Sequence, residues 1–130
     1  MKIAILQTAL VWENPALNRI HFEEQINSID EPVDLIVLPE MFTSGFTMHP
    51  NLVAEPMQGE TMVWLQQLAK EKNAAIAGSL VITDKGNFYN RLVFVFPSGE
   101  VQFYDKKHLF TLAVEDKKYT AGKEKVIIDY

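Results

Sequence analysis

Val33-Asp34-Leu35-Ile36-Val37-Leu38-Pro39-Glu40, VDLIVLPE, continued by Met41 to Phe46 as MFTSGF, is the stretch on which the fold turns. Val33 to Leu38 is a short, nearly continuous apolar run, the composition of a strand buried on both faces in a parallel sheet. Pro39 has no N–H to give to a sheet ladder and ends the run. Glu40 then stands at the strand's carboxyl end with apolar residues on either side. A carboxylate there must be solvated, paired or neutralised, because burying an isolated charge is costly or moves its pKa upward. On the residue alone two readings stand: a structural ion pair, or a working acid or base.

Upstream, Lys2 to Thr8 (KIAILQT) is a second apolar run, read as another strand buried on both faces. Asn14-Pro15 supplies an N-cap and an N1 proline for a helix to about Ser28, with Leu17, Ile20, Ile26 and Ile29 along its inward side. The chain thus opens β-α-β, a crossover that is parallel and right-handed. Downstream, Gly45, Pro50, Pro56 and Gly59 punctuate a long loop over 41–59. Thr61 to Asn73 reads as a helix with Met62, Leu65, Leu68 and Ala69 inward, and Ala74 to Thr83 as a strand. The turns Asp84-Lys85-Gly86-Asn87 and Pro97-Ser98-Gly99-Glu100 then bound strands Phe88 to Phe96 and Val101 to Tyr104, an antiparallel meander. No fixed-period repeat, low-complexity segment or polar linker divides the chain. The expectation is an α/β (α+β) fold in a single domain over 1–130.

With 48% hydrophobic and 22% charged residues, 130 residues supply one domain's core. A net charge of -5 argues against a nucleic-acid surface and for a small-molecule or protein partner. No apolar run is long enough for a membrane span, and MKIAILQTAL lacks the h-region of a signal peptide, so no membrane and a cytoplasmic setting are expected. The absence of cysteine excludes disulfides and thiolate metal sites within these residues. His21, His49 and His108 match no metal-ligand spacing, and Gly86, Gly99 and Gly122 suit turns, so neither a metal nor a nucleotide cofactor is expected. His108 reads instead as a hydrogen-bonding group that steadies its loop. Lys106 and Lys107 are adjacent, so one of them should point to solvent.

Ligands of open α/β sheets sit beyond the carboxyl ends of the strands, where Glu40 lies. Tyr104-Asp105-Lys106-Lys107-His108-Leu109-Phe110, YDKKHLF, takes the corresponding place after the last strand. LPEMF with its following TSGF, and YDKKHLF after them, resemble the nitrilase, or carbon-nitrogen hydrolase, superfamily, most closely its omega-amidase-like bacterial branch. The resemblance runs from KIAILQT to AGKEKVIIDY. It implies a nitrilase-like α-β-β-α sandwich, with this chain as its N-terminal portion and normally paired as a dimer. It also implies a Glu-Lys-Cys triad that hydrolyses a non-peptide C–N bond without a cofactor. By that resemblance Glu40 takes the general-base place and Lys106 the catalytic-lysine place. Glu115 matches a second glutamate that positions substrate, although its EDKK context otherwise reads as a solvated face. Phe46 falls at a loop position lining the acyl pocket, where plain loop packing is the simpler reading.

One departure is severe: the family's nucleophile is a cysteine, and no residue of the chain is one. The sequence reading is an amidase acting on a small amide, such as the terminal amide of a 2-oxo-acid, with its cysteine beyond Tyr130. The alternative is a non-catalytic nitrilase-like module serving binding or assembly. Alone, the 130 residues should be inactive and should expose strand edges and apolar surface.

Overall fold

The computed structural model describes residues 1–130. Strand β1 (Ile3–Ile5) leads through helix α1 (Pro15–Asn27) to strand β2 (Leu35–Val37). After the loop come the single turn α2 (Pro50–Val53) and helix α3 (Glu60–Lys72). Strands β3 (Ala75–Asp84), β4 (Asn87–Val95) and β5 (Val101–Asp105) follow, then two 3-10 turns at Thr111–Ala113 and Glu115–Lys117. The five strands form one sheet in sequence order. Its β1–β2 and β2–β3 junctions are parallel, and β3–β4 and β4–β5 are antiparallel. The parallel start and antiparallel meander therefore stand.

The register explains where the core sits. Ile36, Ile76, Val95 and Val101 lie side by side across four strands and face the helices. Phe22 and Ile26 of α1, and Met62, Leu65, Leu68 and Ala69 of α3, close over that face with Leu80, Ile82 and Val93. Full burial of each large apolar side chain stabilises by about 1.5–3 kcal/mol relative to exposure. The α3 residues are the ones its periodicity selects, and Asn73 in the left-handed region (φ 48°) ends the helix.

Helix α1 starts as read: the Asn14 side chain accepts the Leu17 N–H at 3.1 Å, and Pro15 occupies the first turn. Its inward side differs. Leu17 and Ile20 are exposed, and the buried stripe is Asn18, Phe22 and Ile26. The cause is Asn18, whose carboxamide accepts from the Val11 N–H and donates to the Val11 and Thr43 carbonyls. Those three bonds need Asn18 inward, which rotates Leu17 and Ile20 outward.

Strand β1 departs from the reading more plainly, with Ile3 and Ile5 exposed at 50% and 74%. It is an edge strand; α1 and α3 cover one face of the sheet, and on the other only the β3–β4 region is closed over, by Val53 of α2 with Met41 and Tyr119 around Val81. Ile3 and Ile5 share the other face with Leu35 and Val37, their register partners, which are only partly buried. Further across, that second face carries Ser79, Leu92 and Tyr104 side by side. The C-terminal segment reaches it without forming a strand: the Tyr130 ring lies 5.3 Å from that of Phe94, and its hydroxyl donates to the Asp34 carbonyl at 2.7 Å. The second sheet of a sandwich is not formed by these residues.

Candidate active site

Glu40 is delivered by a turn that leaves β2 and is clamped to β3. The Leu38 N–H donates to the Ala77 carbonyl at 2.7 Å, the Met41 N–H to Ser79 Oγ at 2.9 Å, and the Phe42 N–H to the Ser79 carbonyl at 3.0 Å. Met41 takes a left-handed conformation (φ 48°) to make the bend. The turn can lie this close to β3 because residue 78 is glycine. A Cβ at Gly78 would come within 2.8 Å of the Leu38 Cβ.

Lys106 arrives from the other side, one residue past β5, with its N–H donating to the Asn90 carbonyl at 3.0 Å. Its ammonium lies 2.9 Å from Glu40 Oε1 and 3.0 Å from Glu115 Oε2. Glu115 opens the second 3-10 turn and is wholly buried, and its Oε2 also accepts the Phe110 N–H at 2.6 Å. The Asn90 side-chain amide donates to Glu40 Oε1 at 2.8 Å and to Glu115 Oε1 at 3.2 Å. The Phe46 ring stands 5.1 Å from the Lys106 ammonium, in cation–π range, and 6.4 Å from the Phe110 ring. All four residues singled out in the sequence thus meet at one place.

Two glutamates flank one ammonium, and they set the charge state of Lys106. Burial alone would push the Lys106 pKa down, but the hydrogen bonds and negative charges of Glu40 and Glu115 outweigh it, and the net shift is upward. Lys106 is therefore a fixed cation and a hydrogen-bond donor. Accessibility separates the two glutamates. The Glu40 side chain is 52% exposed and lines a cavity of about 280 Å³ with Leu38, Ser79, Leu92 and Tyr104, whereas Glu115 is sealed behind Lys106. A neighbouring cavity of about 470 Å³ shares Leu92 and Tyr104 and includes Lys107 in its lining.

Lys107 is exposed, and its backbone N–H donates to the Tyr104 hydroxyl at 3.1 Å. His108 is exposed as well and does not steady the loop from within. That task falls to the Gly122 N–H, which donates to the Lys106 carbonyl at 3.0 Å, and to Arg91. The Arg91 guanidinium grips Asp105 through two bonds of 2.6 and 2.9 Å while lying 4.0 Å above the Phe103 ring. The loop carrying Phe46 is held similarly. Glu13 accepts from the Thr47 hydroxyl and lies 2.8 Å from His49 Nδ1, and the Tyr119 hydroxyl donates to the Thr47 carbonyl at 2.6 Å. The Thr47 bond first, and His49 second, hold the Glu13 pKa below its ordinary value. No three His, Asp or Glu side chains are grouped so as to hold a metal ion.

Sequence reasoning did not select Asn90 or Ser79. Its available signal was the Asn90-Arg91 pair in the middle of Phe88 to Phe96, since asparagine is depleted in strand interiors and needs a reason to be there.

A mixed α/β sheet thus carries a Glu-Lys-Glu cluster at its strand ends, the place where ligands of open α/β sheets bind. The carbon-nitrogen hydrolase family matches residues 2–127, and the chain belongs to that family. Over 130 residues it is 42% identical to the omega-amidase YafV of Escherichia coli (strain K12), covering 100% of this chain and 50% of that protein. It is 30% identical over 126 residues to the 2-oxoglutaramate amidase of Bacillus subtilis (strain 168), covering 94% and 48% respectively. Among solved structures it superposes on XC1258 of Xanthomonas campestris, a CN-hydrolase superfamily protein with an arsenic adduct in its active site. The TM-score is 0.96 at 35% identity, covering 100% of this chain and 49% of that one. The nitrilase-type fold is thus the one this chain has, and the chain spans about half the length of the curated relatives it matches.

Proposed function

We propose that this chain carries the proton-transfer and charge-stabilising part of an amidase centre. The reaction is hydrolysis of a small amide, such as the terminal amide of a 2-oxo-acid, to the acid and ammonia. The nucleophile is a cysteine thiol outside these 130 residues. The observation that carries the reading is the half-exposed Glu40 carboxylate sharing Oε1 with the Lys106 ammonium at the mouth of a cavity. The names of the similar amidases support the substrate class.

The chemistry follows from that arrangement. Glu40 takes the thiol proton as sulfur adds to the amide carbon, and the negative charge growing on the amide oxygen is met by Lys106. A preorganised donor of that kind lowers such a barrier by about 3–4 kcal/mol. Glu40 then returns the proton to the amide nitrogen, the C–N bond breaks, and ammonia leaves a thioester. Water, deprotonated by Glu40, adds to the thioester carbon. Collapse releases the acid as the sulfur departs and recovers its proton. Glu115 keeps Lys106 aimed and charged throughout, and Phe46 forms a wall of the acyl pocket. The proton count closes with Glu40 alone, so the scheme calls on no metal or organic cofactor.

A free thiol nucleophile persists in a reducing compartment, which agrees with a cytoplasmic setting. The partly uncovered second sheet face agrees with a homodimeric assembly of longer subunits. A purely assembling module gives no account of a buried glutamate and a partly buried lysine arranged around an open carboxylate. The test is ammonia release from a 2-oxo-acid omega-amide. The 130 residues alone should release none, and adding the segment that follows Tyr130, in cis or as a separate polypeptide, should start turnover. Release by the 130 residues alone would contradict a cysteine-dependent reaction.

A further inference from the structure

We propose that Asn90 is a positioning residue for this centre, holding Glu40 in register with Lys106 by bridging the two carboxylates. The proposal rests on the amidase reading above. Asn90 is 2% exposed and sits on β4, opposite Val81 of β3. Its carboxamide nitrogen has two protons, and both are committed, one to Glu40 Oε1 and one to Glu115 Oε1. Lys106 makes the corresponding pair of contacts, to Glu40 Oε1 and Glu115 Oε2. Two acids and two donors thus close a ring, in which each acid is held by one cation and one neutral amide.

The two acids depend on that ring unequally. Glu115 has a third donor, the Phe110 N–H at 2.6 Å, and is packed on all sides. Glu40 is half exposed, and the contacts found for its carboxylate are those with Asn90 and Lys106. Lys106 is a long, flexible chain, whereas Asn90 is short and fixed by its strand. The neutral amide is therefore the rigid member that sets where the Glu40 oxygen stands. It does so without adding charge, which a second cation here would do. The Asn90 backbone serves the same end, since its carbonyl accepts the Lys106 N–H.

The experiment compares Asn90→Leu and Asn90→Ser in the full-length enzyme, with kcat expressed per reactive cysteine. Leucine keeps the volume and removes both donors, and serine restores one. Asn90→Leu should lower kcat about a hundredfold with KM changed by less than about threefold, and Asn90→Ser should recover about a tenth of the lost rate. A crystal structure of Asn90→Leu should show the Glu40 carboxylate displaced from Lys106 while Glu115 stays in place. Should the leucine variant fail to fold, the kcat and KM of the serine variant decide. Asn90→Ser or Asn90→Leu with kcat per cysteine within about twofold of the unaltered enzyme would overturn the proposal, as would a Glu40–Lys106 contact unchanged in the leucine variant. An unaltered full-length enzyme without amide turnover would instead defeat the amidase reading, and the crystallographic comparison would still decide on Asn90.

Discussion

Lys106 and Tyr119 are the two residues whose charge the fold most visibly fixes, and both report on alkaline stability. The Lys106 pKa is raised because the contacts to Glu40 and Glu115 outweigh its burial. Tyr119 is raised by burial first and then by the charges of Glu115 and Glu13. A group whose pKa is higher in the folded state stabilises fully below its unfolded value, and that contribution is lost as the pH rises toward the folded value. Both unfolded values lie near 10. Stability to urea should therefore fall above about pH 10, and the fall should be shallower in Lys106→Met and Tyr119→Phe. An equal slope in all three proteins would show that neither residue is linked to folding. Glu40 and Lys106 were legible in the sequence because each stands at a strand end inside a recognisable motif. Asn90 was not: its neighbours in sequence are Tyr89 and Arg91, and only the strand register brings it between two glutamates distant along the chain.

At the scale of the element, the turn carrying Glu40 depends on the bare backbone of Gly78. A methyl group there meets the Leu38 Cβ at 2.8 Å and the Phe42 ring at 3.1 Å, and neither is the free end of a flexible side chain. Gly78→Ala should cost about 1–3 kcal/mol in unfolding free energy, as small-to-large changes in packed cores do, and should lower turnover by moving Glu40 off β3. Unchanged stability and turnover would show that the turn has slack. Helix α3 and the meander could be read directly, because period and turn chemistry agree with their burial. Helix α1 could in its start, its span and Ile26 but not in its whole inward side: hydrophobicity also selects Leu17 and Ile20, whereas three hydrogen bonds of Asn18 turn these outward. Strand β1 was misread because a run of apolar residues records that both faces are apolar, not that both are covered by the same chain.

At the largest scale, the 130 residues form one sheet with α1 and α3 over one face and the Glu40–Lys106–Glu115 cluster at the strand ends on the other. Its second face leaves Ile3 and Ile5 exposed, and its relatives are about twice as long. The resemblance in LPEMF and YDKKHLF carried the family, while the missing thiol marked what these residues do not supply. The role proposed for Glu40 is to move the proton. Its most direct measurement is the turnover of Glu40→Gln in the full-length enzyme, read as ammonia released from an omega-amide per reactive cysteine. Glutamine keeps the shape of the side chain but cannot accept the thiol proton, so the rate should fall by about a thousandfold or more with the fold intact. A Glu40→Gln enzyme that turns over within about tenfold of the unaltered protein would show that another group moves the proton, and the central claim would fail.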